Sequence, residues 1–235
     1  MAAAKPFGVI GGLGPPSTVY YYSALLQAHA ARTVPARLFI AHADLDHAVR
    51  FVVSGDRAAL AEYLASLIRP LAAAGAEFVG IAAVTAHFCM PELTAISPIP
   101  VIDIIDVLIR RLEAQKAKRV AFLGNRFTMS SRLFGRLHDY DLIDLPGPVQ
   151  DEVNRIYMSI VQNGRAAPAD GDYLKALCER LYLRDGADAV ISGGTEFSLV
   201  LREGELDAPL IDCAKDHVSA LVERATSAPQ GFSLN

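Results

Sequence analysis

The chain has no tryptophan and only three cysteines, Cys89, Cys178 and Cys213. Their odd number and wide spacing give no sign of a disulfide framework. No Cys-x-x-Cys pair offers a structural zinc site, and a reducing cytoplasm is the expected compartment. No apolar run approaches the ~18 residues that span a bilayer. The apolar stretch before the N-terminal glycines is too short for a secretory signal. An excess of positive charge is missing too: 22 Lys and Arg stand against 26 Asp and Glu, a net charge of -4. Neither a nucleic-acid nor a membrane partner is therefore expected, although a local site can still hold a small acid against the global charge. What the chain does have is apolar content, 52% over 235 residues with 20% charged, enough for one large or two compact domains.

Two stretches stand out. Residues 80–92 read GIAAVTAHFCMPE and residues 191–199 read ISGGTEFSL. Each follows an apolar run of the kind that forms a buried parallel strand. Each puts polar residues at the strand's carboxyl end, where open α/β sheets collect ligands. The lead-ins match as well, Gly75-Ala76-Glu77 before one and Gly186-Ala187-Asp188 before the other. Aligned on those glycines, Ala83 falls on Gly194.

Strands are expected at 7–10, 37–42, 78–83, 99–102, 119–123, 142–145, 189–192 and 210–212. Helices are expected at 17–31, 57–74, 106–117, 129–138, 150–162, 170–184 and 214–225, with a frayed tail from 227. The alternation predicts an α/β fold of two pseudo-symmetric Rossmann-like domains with parallel sheets and an active-site cleft between them. The first domain is expected to hold residues 1–98 and 212–235, the second 99–211.

The turn Gly11–Thr18 lies between a strand and a helix. It reads either as a tight connection or as a cradle of backbone N–H groups for an anion. It is no dinucleotide fingerprint, because Ser17 stands at the third glycine position and Pro15 and Pro16 lack N–H donors. Gly12, Leu13 and Gly14 are the expected carboxylate contacts. His87 and Glu196, the latter beside Thr195, form the one cross-cleft acid/base pair the sequence offers. Each also has a plain role open to it, orienting a loop or bonding backbone. Asn125 and Thr128 read as hydrogen-bond donors from the opposite half. Cys89 falls where a helix N-terminus favours a thiolate, or is a buried small apolar residue. Arg50 and Arg165 read as surface charges before carboxylate partners. His42, Asp44, Asp46 and His47 match no standard metal spacing, and a solvated loop is expected there.

Ile10-Gly11-Gly12-Leu13-Gly14-Pro15 with Thr18 and Tyr21-Tyr22 resembles the aspartate/glutamate racemase family. So do Thr85-Ala86-His87, Leu123-Gly124 with Thr128, Ile156-Tyr157 with Gly164, and Gly193 with Thr195-Glu196-Phe197. The resemblance implies two pseudo-symmetric domains, frequent dimers (a homodimer is expected), and no pyridoxal phosphate, metal or other cofactor. It also implies a small carboxylate substrate, contacted by Thr85 and Thr128, and two thiols, one from each domain, flanking its α-carbon. Here the chain departs. The family's segment similar to Pro-Cys-Asn-Thr-Ala-His is Ala82-Ala83-Val84-Thr85-Ala86-His87, and its Gly-Cys-Thr-Glu is Gly193-Gly194-Thr195-Glu196. Neither Ala83 nor Gly194 carries a proton. The resemblance and the departure together imply an enzyme that acts next to a carboxylate without two thiols, as an isomerase, decarboxylase or elimination and cyclisation catalyst. An inactive carboxylate-binding or regulatory protein and a conventional amino-acid racemase using Cys89 or another group are the alternatives.

Overall fold

A computed structural model describes residues 4–227, so most of the expected frayed tail lies outside the described residues. The first lobe is built from β1 (Phe7–Gly11), α1 (Pro15–Ala31), β2 (Leu38–His42), α2 (Leu45–Ser54), α3 (Arg57–Ala73), β3 (Val79–Ile81), α4 (Met90–Ile96) and β4 (Val101–Ile102). The second holds α5 (Ile104–Gln115), β5 (Arg119–Leu123), α6 (Arg126–Ser130), β6 (Asp141–Leu142), α7 (Gly147–Asn163), α8 (Pro168–Leu183), β7 (Ala189–Ser192) and β8 (Leu210–Asp212). Helix α9 (Cys213–Thr226) then returns to the first lobe. There Ala214, Val218, Leu221 and Val222 pack with Phe7, Tyr21, Leu25 and Phe78.

Both sheets are parallel and four-stranded, with orders β2-β1-β3-β4 and β6-β5-β7-β8. The second order repeats the first, which is the internal symmetry expected from the paired stretches. Central strands β1 and β7 are buried at every position, as strands covered on both faces must be. Val101 and Ile102 pair with β3, so the first sheet extends past the division expected at residue 98.

Two segments differ from expectation. Residues 45–54 form a helix rather than a solvated loop. Asp44 caps it by accepting from His47 N at 2.8 Å, and the His47 ring stacks on Tyr63 at 4.7 Å. The helix expected over 129–138 stops at Ser130. Arg132, Leu133, Phe134 and Gly135 then run left-handed, with φ of 49, 55, 59 and 78°. That turn costs backbone energy, and burial of Leu133 and Leu137 offsets it. It also lays Phe134 against Phe127 and against Phe88 of the first lobe, each at 5.5 Å between ring centres.

Candidate functional site

In each sheet the chain leaves in opposite directions on either side of one gap, between β1 and β3 and between β5 and β7. Ligands of open α/β sheets sit at such switch points. Four loops leave the strand ends there: Gly12–Gly14, Ala82–Thr85, Gly124–Asn125 and Gly193–Glu196. They carry every expected site residue except His87 and Thr128, which follow in the next turn.

At these strand ends two side-chain hydrogen bonds cross from lobe to lobe. Ser17 Oγ donates to Thr195 Oγ1 at 2.8 Å, and Asn125 Nδ2 donates to Thr85 Oγ1 at 2.7 Å. Asn125 also caps α6, its Oδ1 accepting from Thr128 N at 2.9 Å while Thr128 Oγ1 donates to Asn125 O at 2.9 Å. Gly12 N donates to Thr18 Oγ1 at 2.8 Å. The cleft in this state is closed by its own polar groups.

Glu196 sits at the centre with 0% exposure. Its Oε2 accepts from Thr195 Oγ1 at 3.1 Å, and its Oε1 is buried without a partner. Burial raises the carboxyl pKa above the ordinary value, against the opposing pull of the nearby Tyr157 and Ser17 hydroxyls, its own backbone and Thr195. Gly14 forms the floor. Its φ is +138°, and a Cβ there would lie 2.0 Å from Glu196 Oε1. A Cβ on Gly194 would lie 2.7 and 2.8 Å from Tyr157 Cε2 and Cδ2. The Tyr157 ring therefore fills the space beside Gly194, held edge-on to Phe197 at 5.6 Å. Burial and the Glu196 charge raise the Tyr157 phenol well above its ordinary pKa.

His87 is placed elsewhere. Its ring is 0% exposed, Nδ1–H donates to Ala83 O at 2.9 Å, and Nε2 is 3.9 Å from Asp103 Oδ1. Its neighbour is His217, 6.1 Å away between ring centres. His217 in turn accepts from Tyr21 OH at Nδ1 and donates from Nε2 to Ile102 O, both at 2.9 Å. Burial, with His87 adding to it, brings the His217 pKa down to about 3. The groups around His87 are thus Ala83, Asp103 and His217, whereas those around Glu196 are Gly14, Ser17, Tyr157 and Thr195. The structure does not bring the expected acid/base pair together.

Cys89 is fully buried and donates to Ala86 O at 3.5 Å. Burial, with Glu92 adding to it, pushes its thiol up to about 12, and burial does the same to Cys178. A thiolate rescue at Cys89 finds no support here. Native protein is expected to leave all three thiols unreacted with Ellman's reagent until denaturant is added; rapid native labelling of Cys89 would contradict this burial. Arg50 and Arg165 are exposed. Among the described residues no cluster of three His, Cys, Asp or Glu is placed to hold a metal ion, and no helix is long and apolar enough to cross a membrane.

Sequence reasoning missed Tyr157 and Ser17 as members of the site. Tyr157 entered only as part of the Ile156-Tyr157 resemblance, and its meeting with Gly194 is what places it beside Glu196. Ser17 was visible as a departure from a glycine pattern, but its bond to Thr195 spans 178 positions.

Two like-ordered parallel sheets define a two-lobed α/β protein. The profile of the Asp/Glu/Hydantoin racemase family matches residues 10–221, and the chain belongs to that family. Among solved structures, a putative Asp/Glu racemase from Yersinia pestis is 25% identical with a TM-score of 0.82, over 95% of this chain and 100% of that one. An aspartate racemase homologue from Pyrococcus horikoshii is 23% identical with a TM-score of 0.78, again over 95% and 100%. Glutamate racemase from Francisella tularensis, solved with D-glutamate, is 16% identical with a TM-score of 0.61, over 93% and 80%.

Proposed function

We propose that this chain is a cofactor-independent enzyme that binds a small carboxylic acid between its lobes. Glu196 serves as its single proton carrier next to the substrate carboxylate. The observation that carries this reading is the buried, unpartnered Glu196 Oε1 over Gly14. Burial raises the pKa of this carboxyl, which favours the protonated form that can deliver a proton. Racemisation between two faces needs a second carrier, and Ala83 and Gly194 supply none.

Decarboxylation of a small geminal diacid needs one proton delivery and no abstraction, so it fits one carrier best. The bond from the α-carbon to one carboxylate breaks, carbon dioxide leaves, and the electron pair stays as an enolate. The Glu196 proton then moves to that carbon, and the carboxylate regains a proton from water after product release. Isomerisation or elimination would use the same group in its ionised form first. On entry, the remaining carboxylate exchanges the Asn125–Thr85 and Ser17–Thr195 bonds for its own. Thr85, Asn125, Thr128 and the backbone of Gly12, Leu13 and Gly14 then face the developing enolate charge.

The test is incubation of malonate and methyl- and phenylmalonate with the protein in D₂O. The expected product is a monoacid carrying one deuterium at the α-carbon. No turnover of any malonate, with hydrogen exchange at the α-carbon of aspartate or glutamate instead, would overturn the reading. His87→Gln is expected to keep turnover while costing about 1–2 kcal/mol from the lost bond to Ala83 O, measured by urea denaturation. Loss of turnover in a folded His87→Gln protein would return His87 to the chemistry.

A second reading is a binding protein without turnover, favoured by the Tyr157 ring beside Gly194 and by the two bonds that shut the cleft. Such a protein would be stabilised by an acid that it never consumes. Three unpaired thiols fit a reducing cytoplasm, and a homodimer is the proposed assembly.

A further inference from the structure

The ring of Tyr157 reaches from α7 to lie beside Gly194, where a Cβ would meet Cε2 and Cδ2 at 2.7 and 2.8 Å. The backbone at Gly194 is ordinary, with φ of -101°, so this ring rather than the backbone demands a glycine. The glycine is what lets the ring in. Edge-on packing against Phe197 at 5.6 Å then fixes its plane. The hydroxyl at its tip lies near Glu196 and Asn125. Asn125 is already committed: Nδ2 donates to Thr85 Oγ1, and Oδ1 accepts from Thr128 N and Thr128 Oγ1. Glu196 is not, because its Oε2 accepts from Thr195 Oγ1 while its Oε1 is buried without a partner. The phenol keeps its proton far above neutral pH, so it has one hydrogen to donate. The Glu196 carboxyl is the acceptor left open beside it.

These contacts join the two lobe-crossing bonds into one polar chain. It runs from Thr85 of the first lobe through Asn125, Tyr157, Glu196 and Thr195 of the second, and back to Ser17 of the first. We propose that Tyr157 is the switching donor of this chain: its hydroxyl serves Glu196 while the cleft is shut, and turns to a carboxylate oxygen of the acid that opens it. The inference rests on the function proposed above, an acid bound between the lobes. Entry of that acid breaks the Asn125–Thr85 bond and brings a full negative charge to the hydroxyl. An ionised oxygen is a stronger acceptor than a carboxyl that keeps its proton. Glu196 then loses a donor that favours its ionised form and gains a negative neighbour. Both changes favour the protonated carboxyl, so binding itself readies the proton carrier. Tyr157 is left donating to the oxygen on which the enolate charge grows, and it transfers no proton of its own.

The test is the ¹³C titration of Glu196 in wild type and in Tyr157→Phe, each alone and with saturating succinate. Succinate is a diacid that cannot lose carbon dioxide to leave an enolate. Phenylalanine keeps the ring beside Gly194, so far-UV circular dichroism is expected to stay unchanged. Without ligand, Glu196 is expected to titrate at higher pH in the variant, which lacks the opposing hydroxyl. With succinate, both proteins are expected to titrate at one common, still higher pH, because the hydroxyl has then left Glu196. Succinate is expected to bind the variant about 10- to 100-fold more weakly, as the loss of a hydrogen bond to a charged group implies. Gly194→Ala, whose methyl must push the ring aside, is expected to repeat the ligand-free titration of Tyr157→Phe. Equal titration of the two ligand-free proteins, a gap between them that succinate leaves unchanged, or equal affinity would each overturn the proposal. None of these readings needs turnover. Malonates that bind without being decarboxylated, with the titrations as expected, would overturn the proposed reaction and leave the role of Tyr157 standing. A wild type that binds neither succinate nor malonate would overturn both.

Discussion

Replacing Gly14 with alanine is expected to lower stability by about 2–6 kcal/mol, reaching the top of the range for single substitutions. Two effects combine. At φ +138° an L-residue is strained by about 1–3 kcal/mol. The new methyl would also lie 2.0 Å from Glu196 Oε1, an overpacking that typically costs about 1–3 kcal/mol more. Glu196 has little room to yield, because Thr195, Ser17 and Tyr157 surround it. Gly55→Ala is the control. Its φ is +71° but no atom lies within 4 Å of the added Cβ, so it bears only the backbone cost of about 1–2 kcal/mol. Urea denaturation of both variants separates the two effects. Equal losses would mean that Glu196 does not rest on Gly14. The same substitution displaces the proposed proton carrier, so any turnover should fall with it.

Glu196→Gln is expected to reduce turnover by about 100- to 10,000-fold, the usual contribution of a positioned acid or base, while the protein stays folded. Its stability should depend on pH in a definite direction. Burial raises the Glu196 pKa, so the native state holds this proton more tightly than the unfolded chain. The resulting stabilisation is fully present below the unfolded value of about 4.3. It is lost as pH rises through the higher native value. Glutamine has no proton to lose. The stability difference should therefore shift in favour of the variant across that window and then level off. Burial also raises Asp212, and it raises Asp216 to about 6. Both proteins keep these groups, so they cancel in the difference. A difference that does not change with pH would show that the fold does not raise the Glu196 pKa.

The fold was legible because its signals are local and repeated. Apolar runs such as Phe7–Ile10 and Ala189–Ile191 end in glycine and polar residues, and the Gly-Ala-acidic lead-in occurs once in each half. The misreadings came from competition between local and distant effects. Asp44 and His47 looked like polar loop residues, but Asp44 is a helix cap, and Leu45, Ala48, Phe51 and Val52 carry the apolar side of α2. Arg132–Phe134 has ordinary helix formers, yet packing of Leu133 and of Phe134 against Phe88 draws it left-handed. At the proposed site, position along the strands put Gly14, Thr85, Asn125 and Glu196 at strand ends, and the strand ends meet at the switch points. Side-chain direction was not legible. His87 lies one turn beyond its strand and its ring turns towards Asp103, while Tyr157 comes in from a helix 37 positions before Gly194 to fill the space there.

The most direct measurement is the ionisation of Glu196 itself, followed by NMR in protein carrying ¹³C at the glutamate carboxyl carbons. The resonance that disappears in Glu196→Gln assigns the group. The expected result is a carboxyl that stays protonated above the pH at which the exposed glutamates ionise, and whose titration shifts when a small diacid binds. A Glu196 resonance that titrates with the exposed glutamates, unmoved by any small acid, would contradict a neutral carboxyl as the carrier in this cleft.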